Sequence, residues 1–450
     1  MKKKLCSSLV LFILLFGSFI PINKDIKDEF KIEFTEFTLK NGLHVILHED
    51  HSAPLVAVTV LYHVGSKDEE ANQKGFAHFF EHLLFEGSKN IKRGEFDKYI
   101  EDVGGVRNAT TSQDGTLYQE VVPSNQLELA LWLESERMLH ARVDSTGIEI
   151  QKEKVKNERY ERFDAVAYGS ILEETLKRVY TEHPYKSYVI GSMEDLETAK
   201  QIDYEKFYET YYVPNNAVVS IAGDIDVKNA KLLVEKYFKG IPKRKKIVQP
   251  QINEPSQREE IRDSVFYDNI QLPAVIQAFK VPSYEQSDYY ASKMLFALLS
   301  KGKDSRLSKA IKDEQQKAVF VGNFALDVEQ NPSIALAFGI SSQQTSPLTL
   351  EKAMNEEYEK LKNELIEEQE LQKLQNQFEA DFYTQNSTIA GIAKTLASNY
   401  VYKGNANLIH TEIENYMKVT REEIQEAAKK YLIKENRVTL YYSPKNKVRN

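Results

Sequence analysis

A chain of 450 residues with 28% charged and 42% hydrophobic residues, among them 25 Tyr and 22 Phe, reads as globular and long enough for two to three domains. Its formal net charge of -8, with the basic residues dispersed, gives no electrostatic footprint for nucleic acid and excludes that function class. The single cysteine, Cys6, rules out a disulfide framework, and its place in a leader-like segment rules out cysteine nucleophile chemistry in the mature chain.

Residues 1–22 read as a signal peptide. Lys2, Lys3 and Lys4 precede an apolar run from Leu5 to Ile20, shorter than the roughly 20 residues a spanning helix needs. No small-x-small cleavage site ends the run, so an uncleaved membrane anchor is the alternative. The expectation is an exported protein, periplasmic or associated with the cell surface. Short β-rich runs follow at Phe34 to Leu39, Leu43 to Leu47 and Leu55 to Tyr62, the first two joined by Lys40-Asn41-Gly42, a hairpin signal.

Gly75 to Ser88 then reads G-F-A-H-F-F-E-H-L-L-F-E-G-S. No proline or glycine interrupts its interior, so a helix stacks His78 and His82, four apart, on one face with Glu81 beside them. Two neutral imidazoles a turn apart can hold a divalent zinc ion, and a neighbouring carboxylate can take a proton from the attacking water. The order His-x-x-Glu-His reverses the commoner zinc-protease helix and is the inverzincin pattern. With three fixed positions it also arises by chance on an amphipathic helix, so the flanking residues decide its weight.

Next come a helix at Phe96 to Val103 closed by Gly104-Gly105, and strands at Val106 to Ser112 and Gly115 to Val121 joined by a polar turn. Two long helical patterns follow, Gln126 to His140 and Thr146 to Arg162, and the alternation of strands and helices indicates an α+β fold. Two histidines leave a tetrahedral zinc one protein ligand short if its fourth position stays open. Glu149, Glu153, Glu158 and Glu161 are all candidates, and each also reads as part of a solvated helix face. Tyr211 to Asp224 reads as a helix end, a turn and a closing core strand.

Between Gly240 and Arg258, Pro242, Lys243, Arg244, Lys245, Lys246, Pro250 and Pro255 without apolar periodicity read as an exposed linker. Beyond it the first half starts again. L-P-A-V-I-Q-A-F-K-V-P-S at Leu272 echoes L-V-A-V-T-V-L-Y-H-V-G-S at Leu55, 217 residues earlier, and Tyr431 to Leu440 echoes Tyr211 to Ser220 at a spacing of 220. Two echoes at nearly one spacing indicate a duplicated domain. Tyr289 to Leu299, the helix after the repeated strand, holds no His and no Glu, so only the first copy can hold metal.

The block Gly75 to Asn90 closely resembles the active-site helix of the insulinase or pitrilysin family of zinc metallopeptidases, in its bacterial and mitochondrial-processing branch. Gly104 to Arg137, His183 to Ser192 and Tyr211 to Asp224 carry the resemblance on, and it covers nearly all of the chain after residue 22. It implies two homologous domains, each an antiparallel β-sheet packed with helices: an N-terminal peptidase domain with the zinc site at 30–240, a linker at 241–260 and a homologous domain without metal at 261–450.

The function implied is a secreted zinc endopeptidase acting on peptides or unfolded protein segments, with one Zn2+ per chain. Among the four glutamates the resemblance chooses Glu158 as third ligand beside His78 and His82, with Glu81 as the catalytic base. Many relatives carry a glutamate seven residues before the ligand; here that position is Gln151. Arg107-Asn108-Ala109-Thr110 resembles the family's edge strand, on which an extended peptide lies as an added strand, and makes Asn108 and Ala109 the substrate-binding residues. A non-catalytic structural or chaperone-like relative is the alternative function.

Active family members take an arginine and a tyrosine from the metal-free domain, in a segment resembling Ile311 to Val319, where Lys312 and Val319 stand instead. Lysine lacks the planar fork of donors and valine lacks the hydroxyl. The expectation is a heterodimer with a metal-free paralogue that supplies both, with a homodimer as runner-up. Arg306 and Tyr289 are the alternatives within the chain.

Overall fold

In the computed structural model, which describes residues 31–445, β-branched and aromatic runs form two sheets. The expected signal peptide at 1–22 lies outside the described residues. The first sheet has six strands, β1 (Thr35–Thr38), β2 (His44–Glu49), β3 (Leu55–Tyr62), β4 (Val106–Thr111), β5 (Thr116–Pro123) and β6 (Ala217–Gly223), in the order β1-β2-β6-β3-β5-β4. The second has five, β7 (Ile261–Tyr267), β8 (Ala274–Val281), β9 (Ala318–Leu326), β10 (Ser333–Ser341) and β11 (Arg437–Pro444), in the order β7-β11-β8-β10-β9. Neighbours run antiparallel except β2 with β6 and β7 with β11, which are parallel. Period-two patterning decides which side chains are buried but carries no information about the direction of the neighbour, so sequence reading did not reveal these two pairs.

The first half carries helices α1 (Phe76–Leu83), α2 (Glu95–Asp102), α3 (Leu127–His140), α4 (Ser145–Arg159), α5 (Ile171–Val179), α6 (Met193–Thr198), α7 (Gln201–Tyr211) and α8 (Val227–Phe238). The second carries α9 (Tyr289–Ser300), α10 (Pro347–Asn363), α11 (Glu368–Gln385), α12 (Ile389–Lys403), α13 (Leu408–Lys418) and α14 (Arg421–Tyr431). Among the described residues no helix is long and apolar enough to cross a membrane.

The repeat read from the sequence reappears as shared hydrogen bonding. Asn216 donates its amide to the carbonyls of Tyr211 (2.9 Å) and His63 (3.2 Å), closing α7 onto the end of β3. In the second half Asn436 donates to the carbonyls of Tyr431 (3.0 Å) and Lys280 (2.9 Å), closing α14 onto β8 in the same way.

The halves also exchange helices. Ile392, Ala393, Leu396 and Ala397 of α12 pack on Ile46, Ala57, Leu61, Val218 and Ala222 of the first sheet. Reciprocally, Leu176 and Val179 of α5, with Tyr180 and Tyr185, pack on Ile276, Ala278, Leu336 and Leu440 of the second sheet. Each sheet is thus covered on one face by its own helices and on the other by an arm from the opposite half.

Residues 242–260 form no helix or strand, yet they are pinned along their length. The buried Glu254 carboxylate accepts from the backbone N–H groups of Thr181 (2.8 Å), Glu182 (3.0 Å) and His183 (2.8 Å) and from Lys280 Nζ (3.1 Å). Burial opposes its ionisation, but these donors prevail and hold its carboxyl at about 2.

Candidate active site

The metal-type helix α1 is held from both ends. Phe76, Ala77, Phe79, Phe80 and Leu83 recur at helical spacing and are buried, packing on Tyr204, Phe207, Tyr208 and Tyr212. Gly75 opens the helix at φ +101, in the left-handed region, and the chain at Gly191 crosses so close that a Cβ there would lie 2.1 Å from Gly75 N. The Glu69 carboxylate accepts from Gly75 N (2.9 Å) and Ala77 N (3.0 Å), satisfying donors that a helix start leaves free. Tyr118 of β5 donates its hydroxyl to Phe80 O (2.9 Å).

With the apolar face fixed inward, the opposite stripe presents His78, Glu81 and His82 towards α4, whose last turn brings Glu158. The separations are 3.4 Å between His78 Nε2 and His82 Nε2, 3.1 Å from His82 Nε2 to Glu158 Oε2, and 3.5 Å from His78 Nε2 to the same oxygen. Ligands about 2.1 Å from a tetrahedral zinc stand roughly 3.4 Å apart, so this triangle has the size of one face of such a site. Glu158 Oε2 is buried and meets only the two imidazole nitrogens, so when both nitrogens are turned towards it as acceptors its lone pairs have no compensating donor. A cation removes that cost, and two imidazole nitrogens with one carboxylate oxygen are a zinc-type donor set.

The electrostatics favour the ligand forms. Burial, with the neighbouring His82 adding to it, pushes His78 down to about 4, leaving its ring neutral near pH 7. The contact from His82 holds the Glu158 carboxyl below its ordinary value, and Arg162 Nη1 binds the other oxygen, Oε1, at 2.7 Å. Burial pushes Glu81 up, opposed by a hydrogen bond from Thr111 Oγ1 to its Oε2 at 2.6 Å.

The structure brings four of the six expected site residues together: His78, Glu81, His82 and Glu158. The remaining two, Asn108 and Ala109, lie on β4, the outer edge strand of the first sheet, which packs against α1. Asn108 is exposed and Ala109 half-buried. Of the other candidate glutamates, Glu149, Glu153 and Glu161 are exposed. Gln151 is buried and donates its amide to the Glu86 carboxylate, which Arg93 Nε also binds at 2.5 Å. An amide fits this position because it can donate to that carboxylate.

In the second half, Lys312 is half-exposed on a short wide helix at Ser308–Glu314, and Val319 is half-exposed on β9. Arg306 is occupied by Glu370, with Nε at 2.7 Å and Nη2 at 2.5 Å, and Tyr289 is buried. Among the described residues, no hydrogen bond or ion pair links a side chain of the second half to His78, Glu81, His82 or Glu158.

Sequence reading missed Thr111, Glu69 and a polar cluster between the halves. In that cluster Lys67 Nζ binds Asp114 Oδ1 (3.0 Å) and Glu329 Oε2 (2.8 Å), His63 Nε2 also meets Glu329 Oε2 (2.7 Å), and Tyr185 donates to Asp114 Oδ1 (2.5 Å). One signal was available for Thr111: in strand alternation it shares a face with Ala109, next to the metal-type helix.

Residues 44–192 match the family described as Insulinase (Peptidase family M16), and residues 203–378 match the Peptidase M16 inactive domain. The zinc protease PqqE of Helicobacter pylori is 33% identical over 363 residues, covering 79% of this chain and 81% of that protein. A probable mitochondrial-processing peptidase subunit beta of Schizosaccharomyces pombe is 28% identical over 201 residues, 45% of this chain and 44% of that one. A protease from Helicobacter pylori superposes with a TM-score of 0.87 at 29% identity, over 92% of this chain and all of that one. The periplasmic protease PqqL from Escherichia coli shares the fold with a TM-score of 0.76 at 18% identity, over 92% of this chain and 48% of that one. The architecture is that of a two-domain M16-type peptidase. The chain belongs to the insulinase family, peptidase family M16.

Proposed function

We propose that this chain is a zinc-dependent endopeptidase for peptides or unfolded protein segments, and the metal-bearing subunit of a two-chain enzyme. The observation that carries the reading is the convergence of His78 Nε2, His82 Nε2 and Glu158 Oε2 within 3.1–3.5 Å, with Glu81 beside them. These three residues hold one zinc ion. When bound, zinc supplies Lewis acidity that polarises a carbonyl and lowers the pKa of water to about 7.

Strand β4 accepts the substrate along its open edge, pairing backbone to backbone at Asn108 and Ala109 whatever the side chains. Glu81 takes a proton from the attacking water as the oxygen bonds to the scissile carbonyl carbon. It passes that proton to the amide nitrogen as the C–N bond breaks, leaving a carboxyl and an amine. Burial, by raising the Glu81 carboxyl, moves it towards the working pH, where a general base or acid is most effective.

The two-chain assignment rests on what the second half lacks at the site. Lys312 and Val319 cannot replace a guanidinium fork and a phenol hydroxyl, Arg306 is engaged by Glu370, and Tyr289 is buried. Each donor missing from a developing oxyanion costs roughly 3 kcal/mol, about a hundredfold in rate. A relative named as a subunit of a processing peptidase is in keeping with this assignment. The basic head and apolar run of residues 1–22 support export to the periplasm or cell surface.

The test is zinc content and cleavage of a mixed peptide library by the purified chain, alone and with a metal-free paralogue, with Glu81→Gln alongside. Zinc retained by both forms, hydrolysis that needs the paralogue and its loss in Glu81→Gln are expected. Full activity of the chain alone refutes the two-chain requirement. Near-normal turnover by Glu81→Gln refutes the base, and zinc without any hydrolysis in either setting leaves the non-catalytic role.

A further inference from the structure

Glu81 is held by one side chain. Among the described residues the Thr111 hydroxyl is its only recorded hydrogen-bond partner, at 2.6 Å to Oε2, which leaves Oε1 without a donor. A free glutamate side chain explores several rotamers, and proton transfer demands placement to within a few tenths of an ångström. A carboxylate gripped by one oxygen keeps the other for chemistry.

Thr111 is itself well anchored. It is the last residue of β4, paired in register with Thr116 of β5. The turn beyond it is tied by Ser112 Oγ, which accepts from Gly115 N (3.0 Å) and Asp114 N (3.2 Å). Asp114 is then clamped by Lys67 Nζ (3.0 Å), by Tyr185 OH (2.5 Å) and, from the second half, by the N–H of Glu329 (2.9 Å). Thr116 donates to Val64 O (2.9 Å), fixing the return strand. The hydroxyl that grips Glu81 therefore rides on a turn secured by both halves of the molecule.

We infer that Thr111 is the positioning residue of the general base: its hydroxyl donates to Glu81 Oε2 and turns Oε1 to the water proton. The inference rests on the peptidase reading of this site and deepens it. It also joins two tasks in one strand, since the β4 edge that receives the peptide ends in the residue that sets the base. A substrate paired along β4 is thereby registered against Glu81.

The test compares Thr111→Val, which keeps the β-branched shape and removes the hydroxyl, with Thr111→Ser, which keeps the hydroxyl. Both are measured in the full chain with its partner if one is required, and Glu81→Gln is run in parallel. The readouts are zinc content, kcat and KM on one peptide, and the position of the Glu81 side chain in a crystal structure of Thr111→Val. The expected result is zinc and KM unchanged in Thr111→Val, kcat lowered about tenfold to a hundredfold, and Glu81 displaced or split between rotamers. Thr111→Ser recovers kcat to within about threefold of the parent. If Thr111→Val fails to fold, Thr111→Ala is read in the same way.

A kcat within twofold of the parent in the hydroxyl-free variant overturns the inference. So does loss of zinc with loss of activity, which makes Thr111 a residue of site assembly, and so does a Thr111→Ser variant as slow as Thr111→Val. Turnover retained by Glu81→Gln removes the base itself. An inactive Glu81→Gln beside an unimpaired Thr111→Val removes only the positioning role.

Discussion

Replacing Glu329 by Gln cuts a charge that ties the two halves together while keeping the shape of the side chain. Glu329 Oε2 meets Lys67 Nζ at 2.8 Å and His63 Nε2 at 2.7 Å, and its side chain is 24% exposed. Burial disfavours the charge, but the bond from His63 and the charge of Lys67 outweigh it and hold the carboxyl at about 2 against an ordinary 4.5. At about 1.4 kcal/mol per pKa unit this difference contributes roughly 3 kcal/mol of stability at neutral pH. A carboxyl depressed on folding gives its full contribution above the unfolded value of 4.5 and loses it as pH falls towards 2, so roughly 2 kcal/mol remains at pH 3.5. Glu329→Gln is therefore expected to lose about 2–4 kcal/mol at pH 7.5 and visibly less at pH 3.5. Urea unfolding at both pH values, followed by fluorescence of the single tryptophan, Trp132 in α3, and by circular dichroism, measures both differences. Equal stability at pH 7.5, or a gap that widens on acidification, would falsify the argument.

Three further outcomes follow from the same geometry. Glu158→Ala is expected to weaken zinc affinity by at least about a hundredfold, while Glu153→Ala and Glu161→Ala, at exposed positions, leave it unchanged; metal titration of the three variants decides, and equal affinities defeat the ligand assignment. Gln151→Glu sets a second carboxylate against Glu86 and should lower stability by about 1–3 kcal/mol near pH 7, with the loss shrinking below pH 5 as a proton is taken up; thermal melts at pH 7.5 and 5 read this, and a pH-independent loss speaks against it. Gly191→Ala needs a strained φ of +68 and drives a Cβ into the backbone at Gly75, so a loss above about 3 kcal/mol together with loss of zinc binding is expected from melting and metal content; a stable, zinc-competent variant contradicts the packing described.

The parts of this molecule legible in the sequence are those written in local periodicity. The four-residue spacing of His78 and His82, in a run without internal proline or glycine, places both on one face of one helix, and that helix runs from Phe76 to Leu83. The pattern Thr146 to Arg162 reads as one long helix, but the structure ends α4 at Arg159 and widens the next turn at Tyr160–Asp164, with Ala165 N bonding Tyr160 O at 2.8 Å. Side-chain periodicity does not register one extra residue per turn at a helix end. The choice of Glu158 from four glutamates needed the family resemblance, because in sequence each is equally a solvated face. Thr111, Glu69 and the Lys67–Asp114–Glu329 cluster escaped because their partners are remote along the chain, and a polar residue in a strand or turn announces no partner.

The metal-free half has its own physical logic. Helix α9 stands where α1 stands, directly after the second repeat of the central strand, but it is buried on nearly all sides, from Tyr289 through Met294 to Ser300. In α1, Glu81 and His82 are only partly buried, which leaves an approach for substrate; α9 has no such polar stripe and reads as a core helix. The duplication thus doubled the scaffold but kept one site. What the second copy returns is coverage, because α12 shields Ile46, Ala57, Leu61, Val218 and Ala222 on the face of the first sheet that its own helices leave bare. Since α5 makes the reciprocal contribution to the second sheet, separating the halves within 242–260 strips an apolar face from each. The first half carries the proposed metal ligands, but the sheet beneath them is a finished structure only with the second half in place.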